Sequence, residues 1–109
     1  MLQKVEIGTS VASLGNYAFS KCYSLSSVVI PSSVTTINAY AFYNCYGVAF
    51  YDFSTYTSVL TLSNTNTFTS IPSDCKIIVP DNLYDTWKAA TNWSTYASNI
   101  IKTSDWDAL

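Results

Sequence analysis

Val28-Val29-Ile30-Pro31-Ser32-Ser33-Val34-Thr35-Thr36-Ile37 restates, 23 residues later, Val5-Glu6-Ile7-Gly8-Thr9-Ser10-Val11-Ala12-Ser13-Leu14. Each stretch is followed by a second matched segment, Tyr17-Ala18-Phe19-Ser20-Lys21-Cys22-Tyr23 and then Tyr40-Ala41-Phe42-Tyr43-Asn44-Cys45-Tyr46. A third restatement starts at Tyr51-Asp52-Phe53. Self-similarity at a period of this length marks a repeat stack, in which each coil buries its apolar side only against the coils above and below.

The spine of each repeat is Leu-x-x-Val-x-Ile, present as Leu2, Val5, Ile7 and again as Leu25, Val28, Ile30. Alternation with a period of two over so short a run is a strand signal, and Val and Ile suit a pleated, half-buried surface. Stacking sets Val5 beside Val28 and Ile7 beside Ile30, so the strands are expected to build a parallel sheet along the stack. Pro31 ends the strand by removing a ladder donor; Gly8 holds the matching place one repeat earlier. Val11 and Leu14, then Val34 and Ile37, turn the chain back toward the core. Gly15 and Asn38 follow at equivalent sites, where a turn can need positive φ. Ala-Phe-x-x-Cys reads as a single helical or 3₁₀ turn, since Phe19 and Cys22, like Phe42 and Cys45, sit three apart on one face. Phe19 over Phe42 is then the centre of the stack.

The third repeat is degenerate. Tyr51-Asp52-Phe53 keeps the spacing of 23, but Thr67-Phe68-Thr69-Ser70-Ile71 follows Ala41 by 26, placing an insertion of about three residues within Ser54–Asn66. Ile77-Ile78-Val79-Pro80 restores the strand signature 49 residues after Val28. Beyond Pro80 the pattern turns helical: Asp81 or Asn82 can cap, and Leu83, Trp87 and Ala90 share a face. Helices are expected over Asp81–Ala90 and Ser94–Asn99, laying Trp87 and Trp93 over the last coil, with Tyr96, Ala97 and Ile100 continuing the apolar stripe.

Leu25-x-x-Val28-x-Ile30-Pro31-x-x-Val34-x-x-Ile37-x-x-Tyr40-Ala41-Phe42-x-x-Cys45 resembles the BspA-like, or Treponema pallidum-type, leucine-rich repeat. That family carries a Pro after the strand and the Ala-Phe-x-x-Cys turn; Ser33 stands where ordinary leucine-rich repeats place Asn or Cys. The fold class so implied is an α/β repeat, a short leucine-rich-repeat solenoid of about three 23-residue coils with a C-terminal helical cap. Its parts are the solenoid over residues 1–80, degenerate over 54–72, the cap over 81–103 and a polar, fraying tail over 104–109. The resemblance implies a secreted or cell-surface bacterial protein, adhesin-like, whose partner is a host matrix or microbial surface protein. It supplies no catalytic residue and no cofactor. The alternative is a structural segment that caps a longer repeat protein without binding anything itself.

Composition narrows the classes further. Ser and Thr make up about a quarter of the 109 residues, charged residues only 11%, and the formal net charge is −2. There is no Arg and the five Lys are scattered, which argues against nucleic-acid binding through phosphates. No apolar run approaches the roughly 20 residues of a membrane helix. Met1-Leu2-Gln3-Lys4-Val5 does not open an export signal, because no apolar h-region follows it; a mature or excised segment of a longer chain is the reading. The absence of His removes most catalytic triads and most zinc sites.

Cys22 and Cys45 occupy equivalent positions and are expected to stack as buried free thiols, with Cys75 unpaired. Asp52, Asp74, Asp81 and Asp85 lie at strand ends or a helix start, where turn and cap roles are routine. Asn92-Trp93-Ser94 fits a glycosylation sequon only weakly, with Trp93 packed into the cap. The tyrosines remain as the candidate partner-binding set. Tyr17 and Tyr40 form one column, Tyr23 and Tyr46 another, with Tyr43 near both and Tyr56 on the inserted loop. Such rings cover the rim of a coil, or they offer a row of phenols suited to protein contact. Finally, Leu2 is equivalent to Leu25, so the first coil is expected to lack a cover on one side. Its edge strand and apolar side predict a homodimer through the N-terminal coil, centred on residues 3–20.

Overall fold

A computed structural model of the protein describes residues 4–108, with side chains from Ile7 onward. Leu2, the first position of the repeat pattern, and Leu109 lie outside the described residues. In chain order the elements are β1 (Lys4–Glu6), β2 (Ser13–Leu14), β3 (Ser27–Val29), β4 (Thr36–Ile37), β5 (Phe50–Asp52), β6 (Thr61–Leu62), β7 (Lys76–Val79), α1 (Tyr84–Ala89), β8 (Ile100–Lys102) and α2 (Thr103–Asp107).

The strands sort alternately into two sheets. One has five strands in the order β1-β3-β5-β7-β8, the other three in the order β2-β4-β6, and every pairing is parallel. The register follows the spacing in the sequence: Val5 opposite Val28, Val28 opposite Tyr51, Tyr51 opposite Ile77. The inserted residues are therefore absorbed between β5 and β7, in the loop before and after β6. Alternation decides the faces, with Val28, Tyr51, Ile77 and Val79 in the core and Val29 41% exposed on the far side. The pair Val11–Leu14, read as a return toward the core, contributes the short strand β2.

The Ala-Phe-x-x-Cys segment departs from expectation. Isolated i→i−3 bonds form at Ala18 N–H to Gly15 C=O (3.2 Å) and Ser20 N–H to Tyr17 C=O (3.2 Å), but no helix propagates. The reason is that the intervening donors are used between repeats. Tyr17, Phe19 and Lys21 N–H donate to the carbonyls of Ala39, Ala41 and Tyr43 at 3.2, 2.7 and 2.7 Å, and Phe42 and Asn44 donate to Thr67 and Thr69 at 3.0 Å. The turns thus form a third ladder beside the two sheets. Positive φ falls at other positions of the turn. Gly15 and Asn38 do not adopt it; Tyr17 (61°) and Tyr40 (59°) do, as do Lys21, Asn44 and Ser70 at one shared repeat position.

Inside, Phe42 stacks between Phe19 (5.4 Å, 12°) and Phe68 (5.6 Å, 4°). Phe42 is 1% exposed while Phe19 is half-buried, so the centre of the column lies one repeat later than Phe19. Trp87 and Trp93 close the column from the C-terminal side, both fully buried, with Phe53 5.5 and 5.4 Å from them.

The C-terminal segment holds two surprises. The first expected helix is a 3₁₀ turn (Asp81–Leu83) leading into α1, and the second is a 3₁₀ stretch (Trp93–Asn99) kinked at Tyr96. Ile100, read as the end of a helical stripe, instead starts β8, which pairs with β7 as Ile77 opposite Ile100. That offset is again 23 residues. The exposed edge of β7 and two consecutive β-branched residues favour a strand there. The tail over 104–109, expected to fray, carries α2. Thr103 Oγ1 donates to Val79 C=O at 2.9 Å, Ser104 N–H donates to Asp81 at 3.0 Å, and the Trp106 ring lies 5.1 Å from Phe50. The polar tail is thus held by one large ring, Trp106, on the outer face of the five-stranded sheet.

Two outcomes follow from this packing. Phe42→Ala is expected to cost about 3–5 kcal/mol in denaturant unfolding, and Phe19→Ala clearly less, because only Phe42 is enclosed on both faces. The Ser104 hydrogen bonds, with Lys102 adding to them, hold the Asp81 carboxyl below its usual 3.8. A depressed carboxylate favours the folded state above its unfolded pKa and loses that contribution as pH falls through the folded value. The Ser104 amide resonance should accordingly titrate in NMR with a midpoint below 3.8, and Asp81→Asn should abolish that titration.

Candidate functional site

The tyrosines expected to meet do so in two groups. Tyr17 and Tyr40 stack with centroids 5.0 Å apart and planes 5° from parallel, and Tyr43 meets Tyr40 edge-on at 5.3 Å. Tyr23 and Tyr46 form a separate column at 5.6 Å and 5°. Tyr43 therefore joins the first group. Parallel in-register pairing explains both columns, because side chains at one repeat position emerge one strand spacing apart. Tyr17, Tyr23 and Tyr46 are 56, 55 and 54% exposed, and Tyr40 and Tyr43 are half-buried. Each ring of a stacked pair covers one face of its partner. Asn66 Nδ2 donates to the Tyr40 hydroxyl at 3.0 Å, leaving that O–H to donate outward. Tyr56 plays a different part: it is buried, and its hydroxyl bridges the carbonyls of Pro31 (2.8 Å) and Val34 (2.7 Å).

Two backbone features serve these columns. Tyr17 and Tyr40 hold left-handed φ, a conformation that Gly or Asn adopts more easily and that costs a bulky residue on the order of 1–3 kcal/mol. A tyrosine at both sites is thus not explained by the turn. Gly47, next to Tyr46, is needed for close approach: a Cβ there would stand 2.9 Å from Tyr23 O and 3.3 Å from Leu25 O. No signature in the sequence marks Gly47, because its φ is ordinary and only the approach of the neighbouring repeat requires it.

Also unforeseen were the polar side chains that finish the third repeat. Trp93 Nε1 donates to Leu60 C=O (3.0 Å), Asn92 Nδ2 to Leu62 C=O (2.6 Å), and the Tyr96 hydroxyl to Thr65 C=O. Asn99, buried, donates to Pro72 (3.2 Å) and Cys75 (2.9 Å). Leu60, Leu62 and Cys75 hold the places of Thr35, Ile37 and Ala49, whose carbonyls accept from Thr61, Ser63 and Lys76 of the next repeat, so at these three the side chains stand in for a missing neighbour. The one available signal was a polar Asn99 set between Ala97 and Ile100. Asn92, the sequon residue, spends its amide on Leu62 and is half-buried.

All three cysteines are free; Cys22 is half-buried, Cys45 and Cys75 buried. Burial raises the Cys45 thiol to about 11, the contact with Cys22 making a smaller difference, and raises Cys75 to about 12 with a further push from Asp74. Among the described residues, no three His, Cys, Asp or Glu gather as a metal site, and no helix is long and apolar enough to cross a membrane. Two shallow grooves of about 220 and 390 Å³ flank β6, and neither has a charged residue in its lining.

Comparison with known proteins gives one match. A family model described as "BspA type Leucine rich repeat region (6 copies)" covers residues 1–103. No curated protein and no solved structure matches.

Gly47→Ala is expected to force the second repeat away from the first, lowering the melting temperature and weakening the ring-current shifts of Tyr23 and Tyr46 in NMR. Cys45 and Cys75 should resist a thiol reagent at pH 8 in the folded protein and react fully in denaturant, since the thiolate is the nucleophile.

Proposed function

The chain belongs to the BspA-type leucine-rich repeat family, and from that premise we propose that it is a non-enzymatic protein-binding module of a secreted or cell-surface protein, adhesin-like in role. Members of this family are repeat modules, often surface-associated, and such repeats usually mediate protein interactions. The stack is taken as a short solenoid of about three 23-residue coils over residues 1–80, ended by the cap over 81–103. The partner is a host matrix or microbial surface protein, and its contact surface is Tyr17, Tyr23, Tyr40, Tyr43 and Tyr46.

One observation carries this reading: two parallel tyrosine columns with three rings more than half exposed, one column built at left-handed backbone sites that do not call for tyrosine. Tyr joins apolar area to a hydroxyl and loses little conformational freedom on binding, which suits it to interface cores. Phosphate recognition has no support in a surface without Arg.

A second reading, a segment whose role is to end a longer repeat array, is favoured by Trp93, Asn92, Tyr96 and Asn99 closing off the third repeat's carbonyls. In it the unit alone binds nothing while a longer parent does. Self-association through residues 3–20 is a separate proposal. It draws on Ile7, Val11 and Phe19 being half-buried where Ile30, Val34 and Phe42 are buried. Sedimentation equilibrium of Phe19→Ser against the unaltered protein tests it: a dimer that the variant loses supports it, and a monomer in both contradicts it.

The test of the main reading is a triple substitution, Tyr23→Ser, Tyr43→Ser and Tyr46→Ser. It should leave the melting temperature nearly unchanged, because these rings lie outside the buried core, yet reduce binding to a panel of matrix and microbial surface proteins. Failure of the unaltered domain to bind any member of the panel contradicts the reading, and equal binding by the variant removes Tyr23, Tyr43 and Tyr46 from its site.

A further inference from the structure

We propose that Tyr23 and Tyr46 form a site of oxidative modification, at which a peroxidase using hydrogen peroxide joins the two rings by a carbon–carbon bond and locks adjacent repeats together. The chemistry is balanced by the peroxide. Each phenol gives up one electron and its hydroxyl proton, and the two phenoxyl radicals couple between ring carbons ortho to the oxygens (Cε of each). The hydrogens on those carbons then shift to restore two phenols. Two hydrogens in all leave the protein, and one hydrogen peroxide becomes two waters.

The geometry favours this pair. The rings are 5.6 Å apart and 5° from parallel, one strand spacing along the stack. Rotation of both rings about their Cβ–Cγ bonds converts face-to-face stacking into edge-to-edge contact and brings the Cε carbons toward each other without moving either backbone. That torsion is broad and two-fold, and exposed side chains explore it on the picosecond-to-nanosecond scale. Both rings are more than half exposed, so an enzyme-borne oxidant reaches them and room for rotation exists. Gly47 keeps the two backbones at contact distance beside the pair.

The other seven of the nine tyrosines are less suited. Tyr51, Tyr56 and Tyr96 are buried, and burial raises all three hydroxyls, which disfavours loss of the proton that accompanies the electron. Tyr40 stacks on Tyr17 but is half-buried, accepts a hydrogen bond from Asn66 and is braced edge-on by Tyr43, so its ring is not free to turn. Tyr84 lies under Lys88 and Lys102. Among the described residues, Tyr23 and Tyr46 are the parallel pair in which both rings are more than half exposed. The inference does not rest on the proposed binding role, and its test needs no binding partner.

The experiment treats dilute folded protein with a haem peroxidase and hydrogen peroxide, follows dityrosine fluorescence, and maps the product by mass spectrometry after thermolysin, which cuts at the Val and Ile residues between the two sites. The expected result is an intrachain peptide pair containing Tyr23 and Tyr46, lighter than the sum of its parts by two hydrogens. A rise in melting temperature should accompany it, because the link closes a 23-residue loop in the unfolded chain. Tyr23→Phe and Tyr46→Phe, each confirmed as folded by circular dichroism, should lose most of the fluorescence, and Tyr84→Phe should retain it. Links spread over many tyrosines as in urea-unfolded protein, products mainly between molecules, or undiminished yield in the Tyr46→Phe variant would overturn the proposal.

Discussion

Parallel pairing at a fixed register is the constraint on which the rest of this structure depends. Because Val5 lies opposite Val28, and Val28 opposite Tyr51, residues at one repeat position are laid over one another in both sheets and in the turns. The Phe column inside and the Tyr columns outside are two consequences of that single rule. The backbone carries it on three sides, through the two sheets and through the ladder of turn amides such as Phe19 N–H to Ala41 C=O at 2.7 Å. Side chains then add dispersion along each column, where the Phe rings lie 5.4 and 5.6 Å apart.

Such a construction creates a difficulty at its ends, where backbone groups have no neighbour. On the C-terminal side this chain meets it with chemistry rather than with another repeat. Indole, amide and phenol groups of Trp93, Asn92, Tyr96 and Asn99 donate to carbonyls of the third repeat, while Trp87 and Trp93 cover its apolar side. The five-stranded sheet alone continues, through β8 at the same 23-residue offset. The α2 helix then folds over the outer face of that sheet, where Ile78 is buried opposite the core-facing Ile77 and Val79 and Trp106 rests on Phe50. The two sheets therefore end differently: one gains a strand, the other is closed by side chains.

How much of this was legible depended on whether the sequence repeats itself. The strands near Val28, Tyr51 and Ile77, the shift caused by the insertion and the pairing of Tyr17 with Tyr40 were readable, since periodicity carries register directly. Features outside the period were not. Ile100 belongs to a strand although it falls in an apolar stripe of helical spacing, because the edge of β7 overrides local pattern. The turn at Tyr17 resembles a helical turn in its spacing of Phe19 and Cys22, yet inter-repeat hydrogen bonds claim its donors. Of the candidate surface, the five tyrosines were identifiable, while Gly47 and Asn66, which position them, show themselves only through contacts 24 and 26 residues away.

The most direct test of the account is a set of aromatic and amide NOEs across repeats in the folded protein. Cross-peaks between the rings of Phe42 and Phe68 and of Tyr23 and Tyr46, with backbone contacts between Ile77 and Ile100, are the pattern that the register requires. Contacts from Phe42 to Thr65 in place of Phe68, the result of an uninterrupted 23-residue period, would contradict it.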